Sequence, residues 1–226
     1  MFNNLPAGNY TLSEVVQAGW LQSSPSSPGT FAITIVSNSQ IENKNFGNYQ
    51  LGQIAGTVFD DLDADGIKDV GESMTSNWKI YLSGVKSDSV LTDANGNYAF
   101  INLTPGNYTV REEHRTGYTQ TLPSAQNYTL VLSSGSTLAG NDFGNFKHGT
   151  ISGAKFNDVN GSGIRDAGES GIPSWKIYIG GDRNDSMLTN GDGNFEFSDL
   201  LKGTYTLREE MKNGWIQSAP ANQGTY

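Results

Sequence analysis

Cysteine is absent from this 226-residue sequence, which excludes a disulfide framework, a thiol nucleophile and a zinc–thiolate site. Positive charge is scarce: 14 Lys and Arg face 23 Asp and Glu, a formal charge of -9. A chain of that balance has no basic footprint for nucleic acid, and multivalent cations are its better-matched partners. Long apolar runs are missing too. No stretch approaches the roughly 18 residues needed to cross a bilayer, so membrane insertion is not expected. Hydrophobic residues make up only 35%, enough for small β-rich cores and not for one large core. The opening MFNNLPAGNYTL has neither a basic nor an apolar leader region, so any secretion signal is expected to lie outside this stretch.

What is present is repetition. GTVFDDLDADGIKDVGE from Gly56 aligns with GAKFNDVNGSGIRDAGE from Gly153, an offset of 153 - 56 = 97 residues. Trp78-Lys79-Ile80-Tyr81 maps onto Trp175-Lys176-Ile177-Tyr178, and Arg111-Glu112-Glu113 onto Arg208-Glu209-Glu210. Leu5, Gly8, Tyr10, Gly19 and Gln22 match Leu103, Gly106, Tyr108, Gly117 and Gln120, and NFGN at Asn45 matches DFGN at Asp142. One unit copied in tandem explains this. The expected organisation is the C-terminal half of a module over 1–51, a complete module over 52–148, and the N-terminal three-quarters of a further module over 149–226.

Within the complete module, Trp78, Ile80 and Leu82 alternate with Lys79, Tyr81 and Ser83, the period of a half-buried strand. Similar short runs are QIAGTVF, NYAFI, NYTVREE, NYTLVL and the segment around Phe143, separated by turn signals such as Asp93-Ala94-Asn95-Gly96-Asn97 and Pro105-Gly106. No helical periodicity is found. About seven short strands in a module of this size predict an all-β fold: tandem antiparallel β-sandwiches of Greek-key or transthyretin-like topology. The joints are short, since Asn145-Phe146 leads almost directly into Ile151-Ser152-Gly153, which favours a stiff array.

The chemistry lies in the loop from Asp61 to Glu72. Asp61, Asp63, Asp65, Asp69 and Glu72 stand at loop positions 1, 3, 5, 9 and 12, Gly66 at 6, and the Ile67 carbonyl is available at 7. That is the spacing of a twelve-residue EF-hand calcium loop, in which six to eight oxygens must surround one point and glycine permits the sharp bend. In the second copy Asp158, Asn160, Ser162, Ile164, Asp166 and Glu169 hold the same positions, with Gly163 at the bend. It offers three carboxylates against five, so weaker binding is expected. One Ca²⁺ per loop, two in all, is the expected cofactor. The flanks are strands and not helices, so the loop is EF-hand-like while the fold is not. The Asp93 turn could lend oxygens to a further ion, though a plain hairpin turn accounts for it better.

G-x-V-F-x-D-x-D-x-D-G-x-x-D-x-G-E, then T-D-A-N-G-N-Y-x-F, then L-x-P-G-x-Y-T-V-x-E, is carried by Gly56, Phe59, the Asp61–Glu72 loop, Asp93 to Phe100 and Leu103 to Glu112. This pattern resembles the B-type repeat domain of serine-aspartate repeat adhesins (SdrD B-like), within the collagen-adhesin B-like superfamily. The resemblance implies a calcium-rigidified stalk at a bacterial cell surface, extracellular, whose partners are neighbouring modules and, through another domain, a host or surface ligand. Some members of that superfamily carry a Lys–Asn isopeptide bond promoted by a buried acid. Here Val58 stands where the next copy has Lys155, so the two copies do not share one such bond. Glu112 and Glu209 occupy the strand of the promoting acid.

No catalytic constellation emerges. His114 and His148 have Met211 and Leu51 as their counterparts, and neither belongs to a motif holding a nucleophile and an orienting group. Glu112-Glu113 and Glu209-Glu210 are adjacent on strands, point to opposite faces and cannot converge on one glycosidic bond. A non-enzymatic protein is expected. Two alternatives stand beside the stalk. One is a filament whose identical subunits join head to tail by strand complementation. The other is a carbohydrate-binding module using Trp20, Tyr118 and Trp215, residues that otherwise pack under loops.

Overall fold

The structure is a computed structural model that describes residues 2–220. Among these residues there is no helix. By spatial proximity the chain forms two compact units, Met1–Asp60 with Gly66–Glu113 and Gln120–Gly144, and Asp61–Asp65 with His114–Thr119 and Asn145–Tyr226.

At the amino-terminal end β1 (Gly8–Ser13) pairs antiparallel with β3 (Thr30–Ile35), and β2 (Trp20–Ser24) with β4 (Gly47–Gln50). Phe31 and Phe46 meet edge to face at 5.4 Å.

The strand β5 (Gly52–Asp60) organises the next stretch. Its alternate residues Ile54, Gly56 and Val58 are buried, as period-two patterning requires. It pairs with β8 (Asn97–Leu103), with the two-residue β12 (Thr137–Leu138) and with β13 (Phe143–Lys147), beyond which lies β10 (Tyr118–Leu122). Gly56 is glycine for a local reason: a Cβ there would overlap the Asn141 carbonyl that crosses the strand. A second sheet runs β11 (Tyr128–Leu132), β9 (Gly106–Glu112), β6 (Lys79–Gly84), β7 (Asp88–Leu91). Between the two sheets Ile54, Trp78, Ile80, Phe100, Val110 and Phe143 are at most 2% exposed, which makes the arrangement a sandwich.

The architecture recurs in the second unit. There β14 (Gly149–Ala154) pairs with β17 (Asn194–Leu200), and β15 (Lys176–Gly181) lies between β16 (Asp185–Leu188) and β18 (Tyr205–Glu209). Trp175, Ile177, Ile179, Phe197 and Leu200 form its core. The all-β, predominantly antiparallel fold expected from the sequence is what the structure has. In the complete module three strands were not marked by the periodicity: β7 is a four-residue edge strand with one half-buried residue, Val90, β10, Tyr-Thr-Gln-Thr-Leu, does not alternate in burial, and β12 is only two residues long.

Matching hydrogen bonds place the repeat in three dimensions. The Trp78 indole N–H donates to the Glu113 carbonyl at 3.0 Å and that of Trp175 to the Glu210 carbonyl at 2.9 Å. The Thr92 hydroxyl accepts from the Trp78 backbone N–H at 2.9 Å and donates to the Thr75 carbonyl at 2.7 Å; Thr189 does the same between Trp175 and Ile172. Tyr10, Tyr108 and Tyr205 each donate a hydroxyl hydrogen to the carbonyl four residues back, Pro6, Thr104 and Leu201, at 2.8 Å. This tie fastens the turn before each strand to the strand itself.

Candidate metal centre

β5 ends by delivering Asp61 into the interior: its backbone N–H donates to the Asn145 carbonyl at 2.9 Å, and the residue is 0% exposed. Asp63 and Asp65 follow on the exposed bend, and the three carboxylates offer oxygens all within 4.8 Å of one another. The bend is held by its own side chains. The Asp65 N–H donates to Asp61 Oδ1 at 3.2 Å and Asp63 Oδ1 at 3.3 Å, so both oxygens aim at one place. Gly66, at φ 79°, turns the chain onward, a conformation open to glycine at little cost.

The far end of the loop is a separate small turn. The Glu72 carboxylate accepts the Asp69 N–H at 2.9 Å, while the Glu72 N–H reaches the Asp69 carbonyl at 3.3 Å. The structure therefore brings Asp61, Asp63 and Asp65 together and ties Asp69 to Glu72. For Ile67 it records an exposed residue.

In the second loop the pattern is the same, position for position. The Ser162 N–H donates to Asp158 Oδ1 at 3.0 Å and Asn160 Oδ1 at 2.9 Å, and the Asp166 N–H to Glu169 Oε2 at 3.1 Å. The Glu169 N–H returns to the Asp166 carbonyl at 3.1 Å. This loop also holds bonds between its own ligand positions. Glu169 Oε1 accepts the Val159 N–H at 2.9 Å, Asn160 Nδ2 donates to Asp166 at 2.9 Å, and the Ser162 hydroxyl donates to the Ile164 carbonyl at 3.2 Å. The Ser218 hydroxyl, then the backbone N–H groups of Gly163, Ser162 and Gly161, hold the Asp158 carboxyl below the ordinary range.

The donor set of the first loop fits a hard divalent cation. Calcium prefers carboxylate and carbonyl oxygens at about 2.3–2.6 Å, and oxygens 4.8 Å apart or less can share one such ion. A carboxylate withdrawn from water beside two others is costly unless hydrogen bonds, a proton or a cation offset its charge, and a divalent cation would offset all three. The second loop replaces two of the five carboxylates by Asn160 and Ser162 and meets part of its demand internally.

Other residues singled out by sequence are placed as follows. Asp93 uses its carboxylate on its own turn, accepting the Asn95 and Asn97 N–H groups at 2.8 Å, as a hairpin turn requires. Trp215 packs edge-on against Trp175 at 5.1 Å, and Trp20 is 38% exposed. The Lys155 ammonium lies 2.8 Å from Glu209 Oε2 with both side chains mostly buried, an ion pair that sequence left unassigned. This pair lines a cleft of about 460 Å³ with Ile151, Ile177, Phe195 and Leu207. The Thr92 and Thr189 hydroxyl pegs were also missed; their signal was the Thr that precedes each Asp93-type turn by one residue.

The SdrD B-like domain model matches residues 49–141 and 149–226. Serine-aspartate repeat-containing protein F of Staphylococcus epidermidis is 26% identical over 99% of this chain and 16% of its own length. Serine-aspartate repeat-containing protein E of Staphylococcus aureus is 32% identical over 74% of this chain and 16% of its own length. The chain thus spans about a sixth of the curated relatives it matches. Among solved structures, a streptococcal ancillary pilin aligns with 98% of this chain and 71% of its own at 16% identity and a TM-score of 0.39. The Bacillus anthracis TIE protein aligns with 87% of this chain and 35% of its own at 18% identity and a TM-score of 0.41. With its family match over both long repeats and its sandwich architecture, this chain belongs to the SdrD B-like domain family.

Proposed function

We propose that the chain is a calcium-stabilised, non-catalytic spacer: a run of sandwich modules, over 1–51, 52–148 and 149–226, in the stalk of a bacterial cell-surface adhesin outside the cell. The observation that carries this reading is the convergence of Asp61, Asp63 and Asp65 within 4.8 Å in a loop whose hydrogen-bond pattern recurs 97 residues later. Asp61, Asp63, Asp65, Asp69, Glu72 and the Ile67 carbonyl would hold the first ion; Asp158, Asn160, Ser162, Asp166, Glu169 and the Ile164 carbonyl the second. Bound calcium supplies a double positive charge that offsets carboxylate repulsion at each loop. Asx-type bonds already order the Asp61–Asp65 bend, so that half of the first loop enters binding pre-shaped, while the Asp69–Glu72 turn would have to close onto it. A ligand held only by the folded state at about 100 times its dissociation constant adds roughly 2.7 kcal/mol, a large share of the stability of a small cysteine-free sandwich. Names containing serine-aspartate repeats among the relatives support placing the array in an adhesin.

Thermal unfolding in millimolar calcium and in chelator tests the reading. The midpoint is expected to fall by several degrees on chelation in the parent chain and much less in Asp61→Asn/Asp63→Asn. Equal midpoints in the parent would sink it.

A further inference from the structure

The outer face of the β6–β9 sheet runs against the acidic character of the chain. Lys79 and Arg111 both lie over the Tyr81 ring, at 5.2 and 4.1 Å from its centroid. In the second unit Lys176 and Arg208 lie over Tyr178 at 5.3 and 3.9 Å. The register explains the grouping: Tyr81 is paired with Arg111 and Tyr178 with Arg208, so ring and guanidinium project from the same side. Among the described residues no carboxylate stands in ion-pair range of Lys176 or Arg208. The ring takes up one face of the guanidinium, and its edge donors are left to solvent.

In the second unit this face is hollowed. Tyr178, Gly180, Asn184, Ser186, Thr206 and Arg208 line a shallow depression of about 330 Å³. Gly180 makes it: a Cβ there would press on the Thr206 hydroxyl at 3.0 Å, and the earlier repeat carries Ser83 at this position. The one acid on the rim, Asp185, is neutralised by Arg183 at 2.7 Å. The depression therefore combines an aromatic edge, hydroxyl and amide groups, and a stacked arginine without a counter-ion.

We propose that this depression is a binding site for one or two residues of an acidic polysaccharide, with Arg208 as the anchor for a sugar carboxylate. A planar guanidinium matches a carboxylate through two parallel N–H bonds. The hydroxyls of Ser186 and Thr206 and the amide of Asn184 suit sugar hydroxyls, and the volume sits at the lower end of ligand pockets, about 300–1,000 Å³. An acidic peptide is less well matched, because strand addition requires a sheet edge and this depression lies on a sheet face.

The test is calorimetric titration of the whole chain in calcium buffer with hyaluronan hexasaccharide, and in parallel with poly-L-glutamate and neutral dextran oligosaccharide. Saturable hyaluronan binding is expected that weakens with salt and falls roughly tenfold or more in Arg208→Gln. Arg208→Lys should recover only part of it, since charge returns without the planar fork. Arg208 is exposed on a sheet face, and an unchanged thermal midpoint checks the fold of each variant. No hyaluronan binding, equal binding of poly-L-glutamate or dextran, or full affinity in Arg208→Gln would overturn the proposal.

Discussion

At the scale of single residues, the structure puts its most specific demands on polar side chains that are nearly dry. Thr92, 3% exposed, both accepts and donates a hydrogen bond inside the sandwich. Thr92→Val keeps the shape and removes both of these buried bonds, so it should lower unfolding free energy by about 1–3 kcal/mol, measured by denaturant titration. Asp93 gives a pH prediction with an internal control. Its carboxyl is held below the ordinary value, first by the Asn97 N–H. A lowered folded-state value means that the stabilisation is present above the unfolded value, near pH 4, and is lost as pH falls through the folded one. The counterpart Asn190 makes the same two backbone contacts without a titrating group. Asp93→Asn should therefore flatten the acid side of the stability profile, and an unaltered profile would show that the turn carries no linked proton. Residue types and spacing made the convergence of Asp61, Asp63 and Asp65 and the Asp93 turn legible in advance. The threonine pegs and the Lys–Tyr–Arg stacks were less legible, because the pegs join residues 14 and 17 apart and Arg111 meets Tyr81 across 30 residues of chain.

At the scale of elements, strands with a buried face announced themselves by period-two patterning, and β5, β6, β8, β9 and β11 were legible for that reason. β7, β10 and β12 were not, since short or non-alternating strands acquire their identity from the neighbour they pair with. Turns were legible as glycine signals, but their necessity is structural. Gly96 sits at φ 71°, and a Cβ there would lie 2.6 Å from the Val58 carbonyl. Gly96→Ala should cost at least about 1 kcal/mol from backbone conformation alone, and more from the clash. The tyrosine ties are graded by burial. Tyr108 is 1% exposed, whereas the Tyr10 bond is exposed. Tyr108→Phe should cost about 0.5–1.5 kcal/mol and Tyr10→Phe less, read by hydrogen exchange of the strands that follow.

At the scale of the whole molecule, the repeat was the most legible fact, because an offset of 97 residues survives in loops, strands and turns alike. The same offset carries the indole, threonine and tyrosine hydrogen bonds, so the copies share internal wiring as well as outline. They diverge at Val58 and Lys155: the first is a fully buried aliphatic, the second an ammonium paired with Glu209. They diverge again in loop charge, five carboxylates against three, and loop charge is a main lever on calcium affinity. The array is thus expected to fill in order, the Asp61 loop before the Asp158 loop. Calorimetric titration of the chain with calcium is the most direct measurement. Two binding events are predicted, the tighter removed by Asp61→Asn/Asp63→Asn and the weaker, by roughly tenfold or more in affinity, removed by Asp158→Asn. A titration with no heat and no rise in thermal midpoint at millimolar calcium would contradict the account.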